Sequence, residues 1–135
     1  MPHISRNKLD KKLEKELIGN LNLVLTEIKN GDEMLTFIES LLTETEKLML
    51  AKRLAVIILL EEGLPDSQIA QALNITRITV AKMRYYNEAR GQGFKIALAQ
   101  LEKQKKYNSF KKLLVSLARY SIRAAGGRVK PGILD

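Results

Sequence analysis

Asp66-Ser67-Gln68-Ile69-Ala70-Gln71-Ala72-Leu73-Asn74-Ile75-Thr76-Arg77-Ile78-Thr79-Val80-Ala81-Lys82-Met83-Arg84-Tyr85 is the stretch that decides the fold. Ile69 and Leu73 lie one helical turn apart and give a first helix a buried face. Ala70 is small enough for a second helix to cross closely beside it. Asn74 stands at the turn, where a left-handed residue is often needed, and Asn adopts that conformation more readily than most non-glycine residues. Ile75 would pack under the turn. Thr76 is placed to cap the next helix by accepting from an otherwise unpaired backbone N–H. Val80 and Met83, three residues apart, face back to the first helix. Together these positions predict a helix-turn-helix over residues 66–90.

The outer face of the second helix is then Thr76, Arg77, Ile78, Thr79, Ala81, Lys82, Arg84 and Tyr85, with no acid before Glu88. Arg and Lys suit guanine edges or phosphates, Thr suits either, and Ile or Ala can meet a thymine methyl. With Ser67 and Gln68 at the start of the first motif helix, these are the candidate contacts to double-stranded DNA. The alternative is an ordinary helical hairpin with a solvated basic face.

Charge points the same way. The chain has 135 residues, a single His (His3) and a formal charge of +8, placed unevenly. Residues 1–93 hold 13 Lys/Arg against 13 Asp/Glu, whereas residues 94–135 hold 10 against 2, so the whole excess lies in the C-terminal third. Such asymmetry fits a polyanion partner, and nucleic acid fits better than membrane given the upstream motif. Within the C-terminal segment Lys111, Lys112, Arg119 and Arg123 are the candidate phosphate contacts. The chain contains no Cys, which excludes a disulfide scaffold, a thiolate metal site and a Cys nucleophile. No apolar run approaches the ~18 residues of a membrane span, and the N-terminus has no apolar signal region. A soluble, cytoplasmic protein without cofactor or metal is expected.

The apolar period is helical nearly throughout, so the expected fold class is all-α. Leu9, Leu13, Leu17, Leu21, Leu25 and Ile28 form one stripe on a long helix from about Ser5 to Lys29, with Asn30-Gly31 as its stop signal. A short helix follows, about Glu33 to Leu42. Thr43-Glu44-Thr45-Glu46 reads as a capping box that opens a third helix, Glu44 to Glu62, closed by Gly63. The middle of this helix, Leu54 to Leu60, is apolar on all sides and therefore central. After the motif, Gly91-Gln92-Gly93 ends the second motif helix. A sixth helix is expected from about Phe94 to Lys105 and a seventh from about Ser109 to Ala124, with Phe110, Leu113, Leu114, Leu117 and Tyr120 on one side. Gly126-Gly127 opens a tail. The organisation read from this is a helical domain over 1–105 and a basic C-terminal helix and tail over 106–135. The N-terminal stripe is more apolar than a peripheral helix needs, which favours a homodimer whose two motifs read half-sites about 34 Å apart. The alternative is a monomer whose N-terminal helix folds back on the central one.

Leu41-Leu42-Thr43, then Glu46, then Lys52-Arg53-Leu54, then Gly63 and the helix-turn-helix resemble the Trp repressor family over about Asn20 to Leu101. The resemblance implies an all-helical fold, a dimer intertwined through terminal helices, and an operator as partner. It also implies an effector pocket in which Thr43, Arg53, Thr79, Lys82 and Tyr86 stand at the family's ligand positions. Lys82 replaces an Arg there and Tyr86 a small Ser. Lys lacks the flat guanidinium that stacks on an indole, and a Tyr could fill the pocket, so both departures argue against tryptophan as effector. For Arg53 the alternative is a salt bridge with Glu46 or Glu61.

The function expected is thus a sequence-specific transcriptional regulator, a repressor, reading the major groove as a dimer. The alternative is an architectural or weakly specific nucleic-acid binder that relies on its basic C-terminal arm. The lone His3 and the absence of a carboxylate cluster around an apolar pocket give no catalytic constellation, so no enzyme is expected. An adaptor using the N-terminal helix would associate with other proteins without binding DNA.

Overall fold

A computed structural model describes residues 7–124, the last four by their backbone alone. Seven helices and no strand occur among the described residues: α1 (Lys11–Glu27), α2 (Gly31–Leu41), α3 (Glu44–Glu61), α4 (Asp66–Leu73), α5 (Arg77–Arg90), α6 (Gln92–Glu102) and α7 (Lys105–Ala124). The chain divides into two compact units at Lys47/Leu48. Ser5, where the first helix was expected to begin, and the tail from Gly126 lie outside the described residues.

In the first unit, α1 is shorter at both ends than the apolar stripe suggested. Asn30-Gly31 is not its stop signal. The Asn30 side chain instead opens α2, accepting from the Asp32 and Glu33 backbone N–H groups at 2.8 and 3.2 Å, and Gly31 is the first residue of that helix. Satisfying two orphan donors outweighs a left-handed stop at this position. The capping box forms as expected. Thr43 Oγ1 accepts from the Glu46 N–H at 3.1 Å, and Glu46 Oε2 accepts from the Thr43 N–H at 2.8 Å. Lys47 Nζ is held by Glu39 and Glu44 at 2.6 and 2.5 Å, and these hydrogen bonds raise its pKa, that to Glu39 most. Neither α1 nor α2 contains a buried residue. The α1 stripe of Leu13, Leu17, Leu21 and Leu25 is exposed.

The second unit contains the core. Ala55 through Leu59 of α3 are all buried, as an all-round apolar helix requires, and they are joined by Leu64, Ile69, Ala70, Val80, Met83, Tyr107, Leu114 and Ala118. Two turns of one kind bracket α4. At the end of α3, Gly63 has φ +85, the Leu64 N–H donates to the Leu59 carbonyl at 3.2 Å, and the Gly63 N–H donates to the Leu60 carbonyl at 3.0 Å. At the end of α4, Asn74 has φ 53, and the Ile75 and Asn74 N–H groups donate to the Ala70 and Gln71 carbonyls at 3.0 and 3.4 Å. Both are Schellman motifs, with a left-handed residue that lets the next amide reach back five positions. Leu64, the residue after the first, is 2% exposed and anchors that turn in the core.

α5 and α6 are separated by Gly91 alone; Gln92 and Gly93, expected as part of the break, begin α6. A methyl group on Gly91 would run into the Asn87 carbonyl, so the junction is tight enough to require glycine. α7 starts at Lys105, four residues before the expected Ser109. The segment set apart in the sequence from residue 106 shares the second unit with the motif helices. The reason is that α7 packs on α4 and α6 and buries Tyr107, Leu114 and Ala118, at i, i+7 and i+11. The apolar side read from the sequence is therefore divided. Leu114 faces the core, while Phe110, Leu113, Leu117 and Tyr120 are exposed.

Candidate nucleic-acid interface

The interface is built on α4 and α5. Val80 and Met83 hold α5 in the core at 0% and 6% exposure. At 100° per residue, this orientation turns Arg77, Ile78, Ala81, Lys82 and Tyr85 outward, and all five are exposed. Thr76 is the N-cap. Its Oγ1 accepts from the Thr79 N–H at 3.1 Å and shares a hydrogen bond with the Thr79 hydroxyl at 2.9 Å. Both hydroxyls, expected on the reading face, thus hold the helix start. Ser67 is exposed and Gln68 half-buried at the start of α4.

Arg84 was expected on the outer face, but it is half-buried and turned to α4. Its guanidinium donates to Asp66 Oδ1 through Nε at 3.0 Å and through Nη2 as well. This contact fixes the N-terminus of α4 against the second turn of α5. A second tie, Asn87 Nδ2 to Glu61 Oε1 at 3.1 Å, joins α5 to the end of α3. Sequence reasoning missed Asp66 and Asn87 as orienting residues. The only signal for Asp66 was an acid in the first turn of one helix facing a basic position on the next.

Among the C-terminal candidates, Lys112 is exposed and Arg119 half-buried. The Arg123 side chain lies outside the described residues. Lys111 is turned inward and pairs with Glu62 at 2.5 Å. That hydrogen bond raises its pKa above the ordinary 10.5. Tyr107, one turn before it, also titrates above its ordinary 10.0, because burial disfavours the phenolate. The exposed cations of α6, α7 and the turn between them that sequence reasoning did not single out are Lys95, Lys103, Lys105 and Lys106.

Two of the expected effector residues share a groove of about 530 Å³ in the second unit. Arg53 and Tyr86 line it together with Leu50, Leu54, Met83, Arg90 and Phe94. The Arg90 guanidinium sits over the Tyr86 ring, 4.6 Å from its centroid, a cation–π contact that holds the ring at the groove. Thr79 and Lys82 are not among the lining residues. Thr43 belongs to the first unit, where it caps α3.

The family model described as Trp repressor protein matches residues 18–102, from α1 to the end of α6. The chain belongs to the Trp repressor family. It is accordingly a DNA-binding helix-turn-helix transcription regulator, of a family that is not enzymatic. The match stops short of α7, so the helix that packs on α4 lies beyond the part shared with the Trp repressor family. No curated protein and no solved structure matches the chain. No helix among the described residues is long and apolar enough to cross a membrane.

Proposed function

We propose that this Trp repressor family member is a homodimeric, sequence-specific repressor that works in the cytoplasm, with α5 of each copy in the major groove. The observation that carries the reading is the division of α5 into a face locked in the core and an exposed face of Arg77, Ile78, Ala81, Lys82 and Tyr85. Such a helix presents side chains to base edges from a fixed seat. Arg77 and Lys82 form no ion pair among the described residues and supply the cations of that face. Ser67 and Gln68 stand at the N-terminus of α4, the helix that crosses the backbone in this motif. The dimer is supported by the α1 stripe, whose leucines are exposed and none of whose residues is buried among the described residues. No tryptophan effector is invoked, because Tyr86, a large ring stacked under Arg90, lines the groove where the family has a small Ser, and the position of a second stacking Arg is held by the outward Lys82. Gel-shift titrations at fixed salt against a pool of random duplexes test this. A preferred palindromic sequence, bound alike with and without tryptophan, is expected; equal affinity for every duplex would remove the sequence-specific part.

A second reading is favoured by one observation. From residue 94 onward there are only two acids against ten Lys and Arg, and Lys95, Lys103, Lys105, Lys106 and Lys112 are exposed. In that reading the protein is architectural and the α6–α7 surface supplies most of the affinity. Truncating the segment would strip core residues, so charge removal is the cleaner test. Replacing Lys105, Lys106 and Lys112 by Gln leaves sequence preference intact under the first reading and abolishes binding under the second.

A further inference from the structure

The outermost ridge of α5 is apolar at its centre. Taking the direction midway between Val80 and Met83 as inward, Ile78 stands within about 10° of the opposite pole. It is 69% exposed, and Tyr85, seven residues on, is 65% exposed. Apart from the Tyr85 hydroxyl two turns on and the Lys82 amine about 50° to one side, the hydrogen-bonding groups nearby are engaged elsewhere or lie farther to the flanks. The Thr76 and Thr79 hydroxyls bond to each other and to the helix start. Arg84 is drawn back to Asp66. Arg77 emerges about a quarter-turn from the pole. Ile78 meanwhile adds nothing to the core, and a β-branched residue is a poorer helix former than Ala. Its χ1 is nearly fixed in a helix, so its methyl groups hold one direction.

We propose that Ile78 reads a thymine in each half-site through the C5 methyl, so that discrimination at that base pair rests on an apolar contact and not on a hydrogen bond. This rests on the reading above in which α5 enters the major groove, and it assigns the residue that sets specificity there.

Deoxyuridine provides the test, because it keeps every hydrogen-bonding group of thymidine and lacks only the methyl. Duplexes are selected from a random pool with the full chain. Thymines of the selected sequence are then replaced by deoxyuridine one position at a time, in both half-sites. One position per half-site is expected to weaken binding about fourfold, the value of one buried methyl, and about fifteenfold when both half-sites are changed. Ile78→Ala, whose single methyl reaches less far, narrows the ratio between the thymine and uracil duplexes and, the side chain being exposed, melts at the wild-type temperature. Arg77→Gln weakens both duplexes and keeps their ratio. The proposal is overturned if the wild-type protein prefers a sequence but no thymine-to-uracil change weakens it, or if Ile78→Ala keeps the wild-type ratio. If the pool yields no preferred sequence, the groove reading fails and this inference with it.

Discussion

Asn74 shows how much a single residue settles. Its left-handed backbone lets the Ile75 amide reach the Ala70 carbonyl, and the next helix starts three residues later at the angle this turn allows. A Cβ without a compensating polar side chain is strained there by about 1–2 kcal/mol, whereas Gly carries no such strain. Asn74→Ala is therefore expected to lower the melting temperature, and Asn74→Gly to leave it nearly unchanged; chemical denaturation of the three proteins checks the order. The turn was legible in the sequence because αL tolerance belongs to the residue itself. The fate of Arg84 was not. Counted along the helix it lies beside exposed positions, but it is close enough to Asp66, eighteen residues away, to be drawn back against α4.

At the scale of elements, α7 is where sequence reasoning and structure differ most. The sequence reading placed Phe110, Leu113, Leu114, Leu117 and Tyr120 on one apolar side, of which only Leu114 is buried. Tyr107, Leu114 and Ala118 won because they fit against α4 and α6, and Lys111 between them reaches Glu62 at the end of α3. This seat has a pH signature. Both Tyr107 and Lys111 have pKa values raised in the folded chain, by burial and by the Glu62 hydrogen bond respectively. A group whose folded pKa lies above its unfolded value contributes stability that is complete below the unfolded pKa and is lost as pH rises through the folded one. Thermal stability should thus fall as pH climbs above about 10, and Tyr107→Phe combined with Lys111→Met should flatten that fall. Melting curves from pH 8 to 11.5 measure it. A drop of the same size in the double variant would assign the alkaline loss to other groups.

For the whole molecule, two properties follow from surfaces that are exposed among the described residues. The α1 stripe includes Leu17 and Leu21 at 51% and 41% exposure, more apolar surface in one line than a monomer usually presents. Sedimentation equilibrium should give about twice the chain mass, and Leu17→Glu with Leu21→Glu should return the monomer while the second unit keeps its helical signal. The second property is the salt dependence of DNA binding. Each phosphate neutralised contributes about 0.9 to the slope of log affinity against log salt. Replacing Lys105, Lys106 and Lys112 by Gln lowers the slope by up to about 2.7 if all three touch the backbone. Slopes measured from 50 to 200 mM salt test this, and an unchanged slope would place DNA elsewhere than on α7.

The sequence by itself determined the all-helical architecture, the capping box at Thr43, the left-handed turn at Asn74 and the orientation of α5. These depend on local periods and on the backbone preferences of single residues, which act over a few positions. Only the tertiary structure decided that Asn30 opens a helix and does not close one, that Gly91 alone separates α5 from α6, and that α7 joins the core. Only it, too, paired Arg84 with Asp66 and Lys111 with Glu62. The first two turned on which of two nearby backbone groups a cap or a glycine serves, and the others were choices between partners distant in the chain, decided by which buried contacts and paired charges could form at once. That same choice leaves Ile78 at the centre of the ridge that α5 presents outward.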